Sequence, residues 1–253
     1  MHQEHNHFCP DPAAVRLISL VVPVYQEADN IVPFLRGIQA HLHEPHEILI
    51  VHDFPEDSTL PAIAAMQPPC PDVRLVHNTL GRGVLSAIKA GFQASRGDVV
   101  VVMMADCSDD PRDVVALARL SRSGADVVAG SRYVRRGRQQ GGPLVKRILS
   151  RLAGVSLHYL AGLPIHDATN NFRAYSRRVV EQVPIESAAG FCLALELTLK
   201  AHWRGWRVAE IPTTWQDRTA GTSRFRLFGW LPHYLRWYIR ALGHAWFGTE
   251  KHP

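Results

Sequence analysis

Three carboxylates, Asp106, Asp109 and Asp110, crowd the end of the aliphatic run VVVVMMADCSDDPRDVV, residues 99–115. Acids at a strand end either cap the helix that follows or hold a hard divalent cation against a substrate phosphate. Asp110 carries the first signature. With Pro111 and Asp113 it supplies an N-cap, a proline for the first helical position and an acid for the first turn. Asp106 stands before the turn, where no helix amide needs it, and is the better candidate for a Mg²⁺ or Mn²⁺ ligand.

Arginines supply the opposite charge. From Ser131 to His166 there is no Asp or Glu, but there are Arg132, Arg135, Arg136, Arg138, Lys146, Arg147 and Arg151. Arg218 to Arg240 is likewise free of acids and carries Arg218, Arg224, Arg226, Arg236 and Arg240. In a chain of net charge +5, such stretches attract phosphates, nucleic acid or an acidic lipid surface. No base-reading motif accompanies them, which argues against nucleic acid.

Alternating elements must position these groups. LISLVVPVY (17–25), EILIV (47–51), VRLVH (73–77), DVVVVMM (98–104) and ADVVAGSRY (125–133) read as buried strands. Helical patterns separate them, with Ile31, Phe34, Leu35, Ile38 and Leu42 on one face and a second helix over 84–94. Strands separated by single helices predict an α/β, doubly wound, mostly parallel sheet with helices on both faces. Ligands then bind beyond the carboxyl ends of the strands, where the polar clusters fall. The second half predicts helices over 143–161 and 190–205 around the polar stretch HDATNNFRAYSR (166–177), then a strand over 207–215.

At 253 residues and 46% hydrophobic, the chain suits one large domain, taken as 17–228. A polar tail precedes it (1–16), and an amphipathic helical segment follows (229–253). In that segment Leu231, Tyr234, Leu235, Tyr238, Leu242, Ala245 and Trp246 recur at helical spacing, opposite His233, Arg236, Arg240 and His244. Such a helix packs on its domain or lies in a membrane interface. The amino end has no apolar signal core, and no stretch reaches the roughly 18 apolar residues that span a bilayer. Cys9, Cys70, Cys107 and Cys192 form no C-x-x-C pair and read as free thiols of a reducing compartment.

VVPVYQEADNI, an Asp-bearing loop after the second strand, GRGVLSAIKAGFQASRGDVVVVMMAD, VVAGSRY and DRTAGTSRF occur in one order. That order resembles family 2 glycosyltransferases of the GT-A fold, and within them the dolichyl- and polyprenyl-phosphate mannosyl- and glucosyltransferases. The resemblance covers roughly residues 17–228. It implies an inverting transfer of a hexose from a nucleotide sugar to a polyprenyl-type phosphate, by a cytoplasmic protein docked peripherally at the membrane's cytoplasmic face. It also implies roles. Pro23, Tyr25, Glu27 and Asp53 would bind the nucleotide, with Gly81 and Gly83 in the loop beside it. Asp106, with Asp109, would hold Mg²⁺ or Mn²⁺ and the sugar diphosphate. Arg132, Arg147, Arg218, Ser223 and Arg224 would bind phosphates, Asn170 and Asn171 would lie near the sugar, and Glu196 would be a catalytic acid or base.

The chain departs from the family pattern at two places. The acidic pair after the second strand reads His52-Asp53, and the D-x-D motif reads Met104-Ala105-Asp106 followed by Ser108. Two other functions stay open on the residues alone. One is glycosylation of a saccharide or metabolite hydroxyl with Glu196 as base; the other is nucleotide-sugar binding without catalysis. Glu196 itself has a plain structural reading, an ion pair with Lys200 one helical turn on.

Overall fold

The computed structural model describes residues 16–188, 190–218 and 227–248. The first elements are β1 (Ile18–Pro23), α1 (Ala28–His41), β2 (His46–His52), α2 (Thr59–Ala64), β3 (Val73–His77), α3 (Val84–Ala94) and β4 (Val99–Val102). Next come α4 (Asp113–Arg122), β5 (Val127–Ser131), β6 (Arg138–Gln140), α5 (Leu144–Ala161), β7 (Arg173–Ser176) and α6 (Arg177–Gln182). They are followed by α7 (Leu193–Trp203), β8 (Val208–Pro212), β9 (Thr214–Gln216) and α8 (Leu227–Phe247).

Seven strands form one sheet in the order β3-β2-β1-β4-β7-β5-β8, parallel throughout except for β7. That strand runs antiparallel to both β4 and β5. The strands can be aliphatic at every position because helices cover both faces. In β1, Leu20 and Val22 join the core formed with Ile31, Phe34 and Leu35 of α1, while Val21 joins the core formed with Leu85 and Ile88 of α3. β2 and β4 alternate in the same way, the period-two geometry of a strand. The α/β, mostly parallel architecture expected from the sequence is what forms.

Three local features differ from the sequence reading. β7 falls inside the polar stretch 166–177, where the sequence predicts no strand, because only Ala174 and Tyr175 of its four residues are apolar. Pairing with β4 and β5, rather than local pattern, makes it a strand. The strand expected over 207–215 divides at Pro212: β8 stays with β5, while β9 pairs with β6 in a separate two-stranded ribbon. Proline lacks the amide that would continue the ladder. Asp110 sits one turn before the helix it was expected to cap. Its carboxylate accepts from the Arg112 amide (3.0 Å), its carbonyl from the Asp113 amide (3.1 Å), and α4 begins at Asp113.

α8 packs against the domain along one face. Trp237 and Ala241 are buried in the core, the Trp237 indole donates to Ser187 Oγ (3.0 Å), and Tyr238 donates to Ser156 Oγ on α5 (2.8 Å). Leu231, Leu235, Ile239, Trp246 and Phe247 of the same helix remain exposed. Among the described residues, no helix is long and apolar enough to cross a membrane.

Gly154 sets how closely α5 approaches the loop after it. A Cβ there would lie 2.2 Å from the His166 carbonyl oxygen, closer than any van der Waals contact. Gly154→Ala is expected to push α5 off that loop at a cost of about 1–3 kcal/mol, lowering the Tm by roughly 2–10 °C in a thermal melt. A melt that coincides with the wild type would refute this account of the packing.

Candidate active site

The parallel strands deliver Pro23, Asp53, Asp106 and Arg132 to one side of the sheet, around a cleft of about 520 Å³. Tyr25, Glu27, Gly83, Asp109, Lys146, Asn170, Asn171 and Arg218 also line it. The groups that the sequence scatters over almost two hundred residues therefore meet in one place.

Asp53, just past β2, organises one wall of the cleft. One carboxylate oxygen accepts from Asn78 Nδ2 (2.7 Å), the other from the Gly83 amide (2.8 Å). This ties down the loop before α3, where Gly81 and Gly83 take φ of +114° and +111°, a region open chiefly to glycine. Gly83 lines the cleft; Gly81 shapes the loop behind it, its carbonyl accepting from Asn78. Tyr25 stands 44% exposed at the rim, edge-on to Phe54, with Arg82 over the other ring.

The turn between β1 and α1 is held by a residue that sequence reasoning missed. Asp57 is fully buried and accepts from the Gln26 amide and from both the amide and hydroxyl of Thr59. Thr59 Oγ1 in turn accepts from the Glu27 amide (2.9 Å). These bonds secure Gln26 at φ +54° and fix where Glu27 points. Asp57 stands in the acidic turn HDFPEDST, and nothing in its local pattern marks it out from Asp53.

Glu27 and Asp106 converge on a single cation. Arg218 Nη2 lies 3.1 Å from Asp106 Oδ2 and 3.4 Å from Glu27 Oε1. The other Asp106 oxygen accepts from the Ser108 amide (3.1 Å). This point is suited to positive charge, so the oxygen donors fit a hard divalent ion, with substrate phosphates and water completing its shell. Met104 lines the same wall but offers only a soft thioether, which such ions avoid.

Asp109 lines the cleft but is almost entirely buried, and burial, with the Asp106 charge beside it, pushes its carboxyl up to about 8. One of its oxygens is buried without a hydrogen-bond partner.

Arg132, after β5, forms a buried ion pair with Asp167. Its Nε and Nη2 reach the two carboxylate oxygens at 2.7 and 2.9 Å, and Nη2 also meets Ser150 and Thr169. Burial opposes both charges, but each partner outweighs it: Asp167 holds the guanidinium above its ordinary value and Arg132 holds the carboxyl below its own. Lys146 on α5 lines the cleft nearby, its pKa lowered by burial and then by Arg132. The sequence shows Lys146 only as one more cation of a basic stretch. Arg173 is a second missed residue: completely buried, it donates to the carbonyls of Asp167, Asn170 and Ala194 and to Thr198, fastening the loop after α5 to α7.

Other expected residues are placed differently. Arg147 does not line the main cleft; with Arg138 and Arg151 it borders an adjoining pocket of about 360 Å³ that shares Arg132. Asn170 lines the cleft, but its amide donates to the Gly130 carbonyl (2.9 Å) and serves the loop. Ser223 and Arg224 lie outside the described residues. Glu196 is the plain correction. It is fully buried on α7, away from the cleft lining, paired with Lys200 (2.7 Å) and accepting from the amides of Glu186 and Ser187. Its two oxygens serve the 184–187 segment and Lys200.

Two outcomes are expected. Glu196→Gln should cost about 3 kcal/mol, from weakening a buried pair, while the folded protein retains transfer activity within about twofold. Loss of turnover with an unchanged melt would restore Glu196 to catalysis. For Asp109, the folded carboxyl binds its proton up to about pH 8 and the unfolded one only to 3.8. The folded state thus holds the extra proton between those values, and the contribution of this group to stability declines as pH rises through that window. Asp109→Asn should show a shallower decline of Tm over the same range; parallel curves would contradict the shift.

Comparison with known proteins agrees with this geometry. Residues 19–183 match the model of Glycosyl transferase family 2. A polyprenol monophosphomannose synthase of Mycolicibacterium smegmatis is 34% identical over 85% of this chain and 84% of its own. A dolichol-phosphate mannosyltransferase of Pyrococcus furiosus is 30% identical over 87% of this chain and 63% of its own. Among solved structures, glucosyl-3-phosphoglycerate synthase from Mycobacterium tuberculosis, in complex with Mn²⁺, UDP and glucosyl-3-phosphoglycerate, superposes with a TM-score of 0.68 at 18% identity, covering 90% of this chain and 80% of that one. The chain belongs to glycosyl transferase family 2 and is a glycosyltransferase of GT-A-like fold.

Proposed function

We propose that the protein moves a hexose, of mannose or glucose type, from a nucleotide-sugar donor to a polyprenyl-type phosphate, inverting the anomeric centre. The observation that carries this reading is the lining of the cleft. It combines carboxylates and a glycine loop with Arg132, Lys146 and Arg218 and with the apolar Leu149, Ala153, Leu231 and Tyr234 of α5 and α8. A donor with a diphosphate and an acceptor with a phosphate on an apolar chain match that combination. The names of the relatives, a polyprenol monophosphomannose synthase and a dolichol-phosphate mannosyltransferase, support the same acceptor class.

The chemistry follows from the charges. An oxygen of the acceptor phosphate attacks the anomeric carbon from the face opposite the donor diphosphate, whose bond to the sugar breaks. Negative charge grows on the leaving diphosphate, where Arg218 is placed to stabilise it. A Mg²⁺ or Mn²⁺ held at Asp106 would supply Lewis-acid stabilisation of the same oxygens. Arg132 and Lys146 orient the acceptor phosphate, which arrives already ionised and needs positioning rather than a base. A hydroxyl acceptor would need one, and Glu196 is committed elsewhere.

Access to a lipid is built into α5 and α8. Beyond its cleft-lining side, α5 exposes Leu144, Ile148, Leu152, Tyr159 and Leu160, and α8 exposes Leu235, Ile239 and Phe247. Arg138, Arg147 and Arg151 flank the α5 row. An apolar surface bordered by arginines suits peripheral docking on an anionic membrane of the cytoplasmic face.

The test is transfer of labelled sugar from GDP-mannose or UDP-glucose to undecaprenyl phosphate in anionic vesicles. We expect a lipid-linked product of inverted configuration, and expect Leu152→Asp to lower vesicle co-sedimentation and transfer together by about tenfold without changing the Kd for the free nucleoside diphosphate. Turnover onto a soluble hydroxyl acceptor, with none onto lipid phosphate, would reject the reading.

A further inference from the structure

Three arginines surround a pocket and meet no carboxylate. Arg138, Arg147 and Arg151, with Arg132, Tyr133 and Gln139, line the cavity of about 360 Å³ beside the main cleft. Elsewhere in the molecule Arg74, Arg96, Arg112, Arg122, Arg178 and Arg240 each reach an acid at 3.0 Å or closer. Arg138, Arg147 and Arg151 form no ion pair among the described residues, and the pocket lining holds no acid. Arg132 is already balanced by Asp167.

Holding the other three charges together is unfavourable without an anion between them. Arg147 and Arg151 lie one turn apart on α5, where like charges repel. Arg138 comes to them from β6, which its amide anchors to the Thr213 carbonyl (2.9 Å). Arg138 and Arg151 are exposed and Arg147 is half-buried, so a ligand reaches the charged wall from solvent. The pocket is many times the roughly 30 Å³ that a water occupies.

Guanidinium groups pair best with ionised oxygens, and a phosphate offers several to more than one arginine at once. Ile148 lines the same pocket, and Leu144, Ile148 and Leu152 stand exposed at four-residue spacing along α5. The phosphate therefore enters beside an apolar stripe, the arrangement that a headgroup attached to acyl chains needs.

This position is separate from that of the acceptor phosphate. Lys146 and Ser150 of α5 line the main cleft, whereas Arg147 and Arg151 line the pocket, each one residue on and so about 100° further round the helix. The Tyr133 hydroxyl, 2.8 Å from Ser150 Oγ of the cleft and 3.2 Å from Gln139 Oε1 of the pocket, spans the wall between them.

We propose that this pocket binds the phosphate of an anionic membrane lipid that is neither donor nor acceptor, so that one seated headgroup, and not diffuse charge alone, fixes the enzyme on the bilayer. This rests on the membrane-facing reading of α5 given above and adds a discrete site to it.

The test compares wild type with two double variants and one cleft variant. Arg138→Gln with Arg151→Gln removes two pocket arginines. Arg135→Gln with Arg136→Gln removes the same charge from exposed residues of the same stretch that do not line the pocket. Lys146→Ala alters the main cleft. Calorimetry with soluble dihexanoyl phosphatidylglycerol and with inorganic phosphate reads the site; co-sedimentation with phosphatidylcholine vesicles, with and without phosphatidylglycerol, reads docking. We expect wild type to bind the short-chain lipid about tenfold or more tightly than inorganic phosphate. The pocket variant should lose about tenfold or more in that Kd and in the partitioning that phosphatidylglycerol confers, while the other two variants keep the Kd within about twofold. Inorganic phosphate bound as tightly as the lipid would make this a site for a soluble anion and overturn the assignment. Equal losses in the two double variants would reduce it to diffuse attraction, and loss in Lys146→Ala alone would place the lipid in the cleft; either result also overturns it. Should the pocket variant melt early, Arg151→Gln alone decides, and an unchanged Kd there rejects the site. None of these readouts needs turnover, so their failure leaves the transferase reading standing, and a failure of transfer to lipid phosphate leaves the binding results to judge the site.

Discussion

The ion pair between Arg132 and Asp167 is the constraint on which the rest of the site depends. Both side chains are buried, and taking two charges out of water is favourable only when the geometry lets each satisfy the other. Here the guanidinium meets the carboxylate through two nitrogens, and the amides of Arg132, Thr169 and Asn170 and the Thr169 hydroxyl also donate to Asp167. Removing either partner would leave a buried, uncompensated charge, a loss of about 3–5 kcal/mol. The pair couples the end of β5 to the loop after α5, and so fixes Arg132 against Ser150, Thr169 and the cleft.

Arg173 extends that constraint. Three carbonyls and a hydroxyl surround its guanidinium, from the 167–170 loop and from α7. A fully buried arginine without a carboxylate directly on it is costly unless hydrogen bonds replace water on every side. β7 enters the sheet antiparallel between β4 and β5 and brings this arginine beneath the loop. The irregular strand and the loop bearing Asn170 and Asn171 are thus parts of one arrangement.

The cleft sorts its charges by task. Asp53 accepts from the Gly83 amide and the Asn78 side chain, and Asp57 from the Gln26 and Thr59 amides and the Thr59 hydroxyl, so both shape loops. Glu27 and Asp106 instead face a cation, the guanidinium of Arg218. Asp109 lies three residues on and in a different medium, where burial favours the neutral form. Carboxylates close in sequence acquire different chemistry because solvation differs over a few ångströms.

Much of this was legible before any coordinates. The aliphatic runs over 17–25, 47–51 and 98–104, short and rich in β-branched residues, read as buried strands, and in a parallel sheet ligands bind beyond the carboxyl ends of such strands. Asp106 stood out by its place at a strand end, and Asp53, Arg132 and Arg218 by the motifs the chain shares with the family; all four line one cleft. The chain order of the motifs was enough to indicate the family and its chemistry. Local pattern could not reveal β7, whose residues become a strand only through partners more than forty and seventy positions away. Nor could it separate the buried Lys200 pairing of Glu196 from catalysis, or the fully buried Asp57 from the cleft-lining Asp53. Those distinctions depend on which atoms are dry and which neighbours meet them. Periodicity and motif order are properties of the chain alone, whereas burial and the pairing of each charge are decided only when distant segments come together.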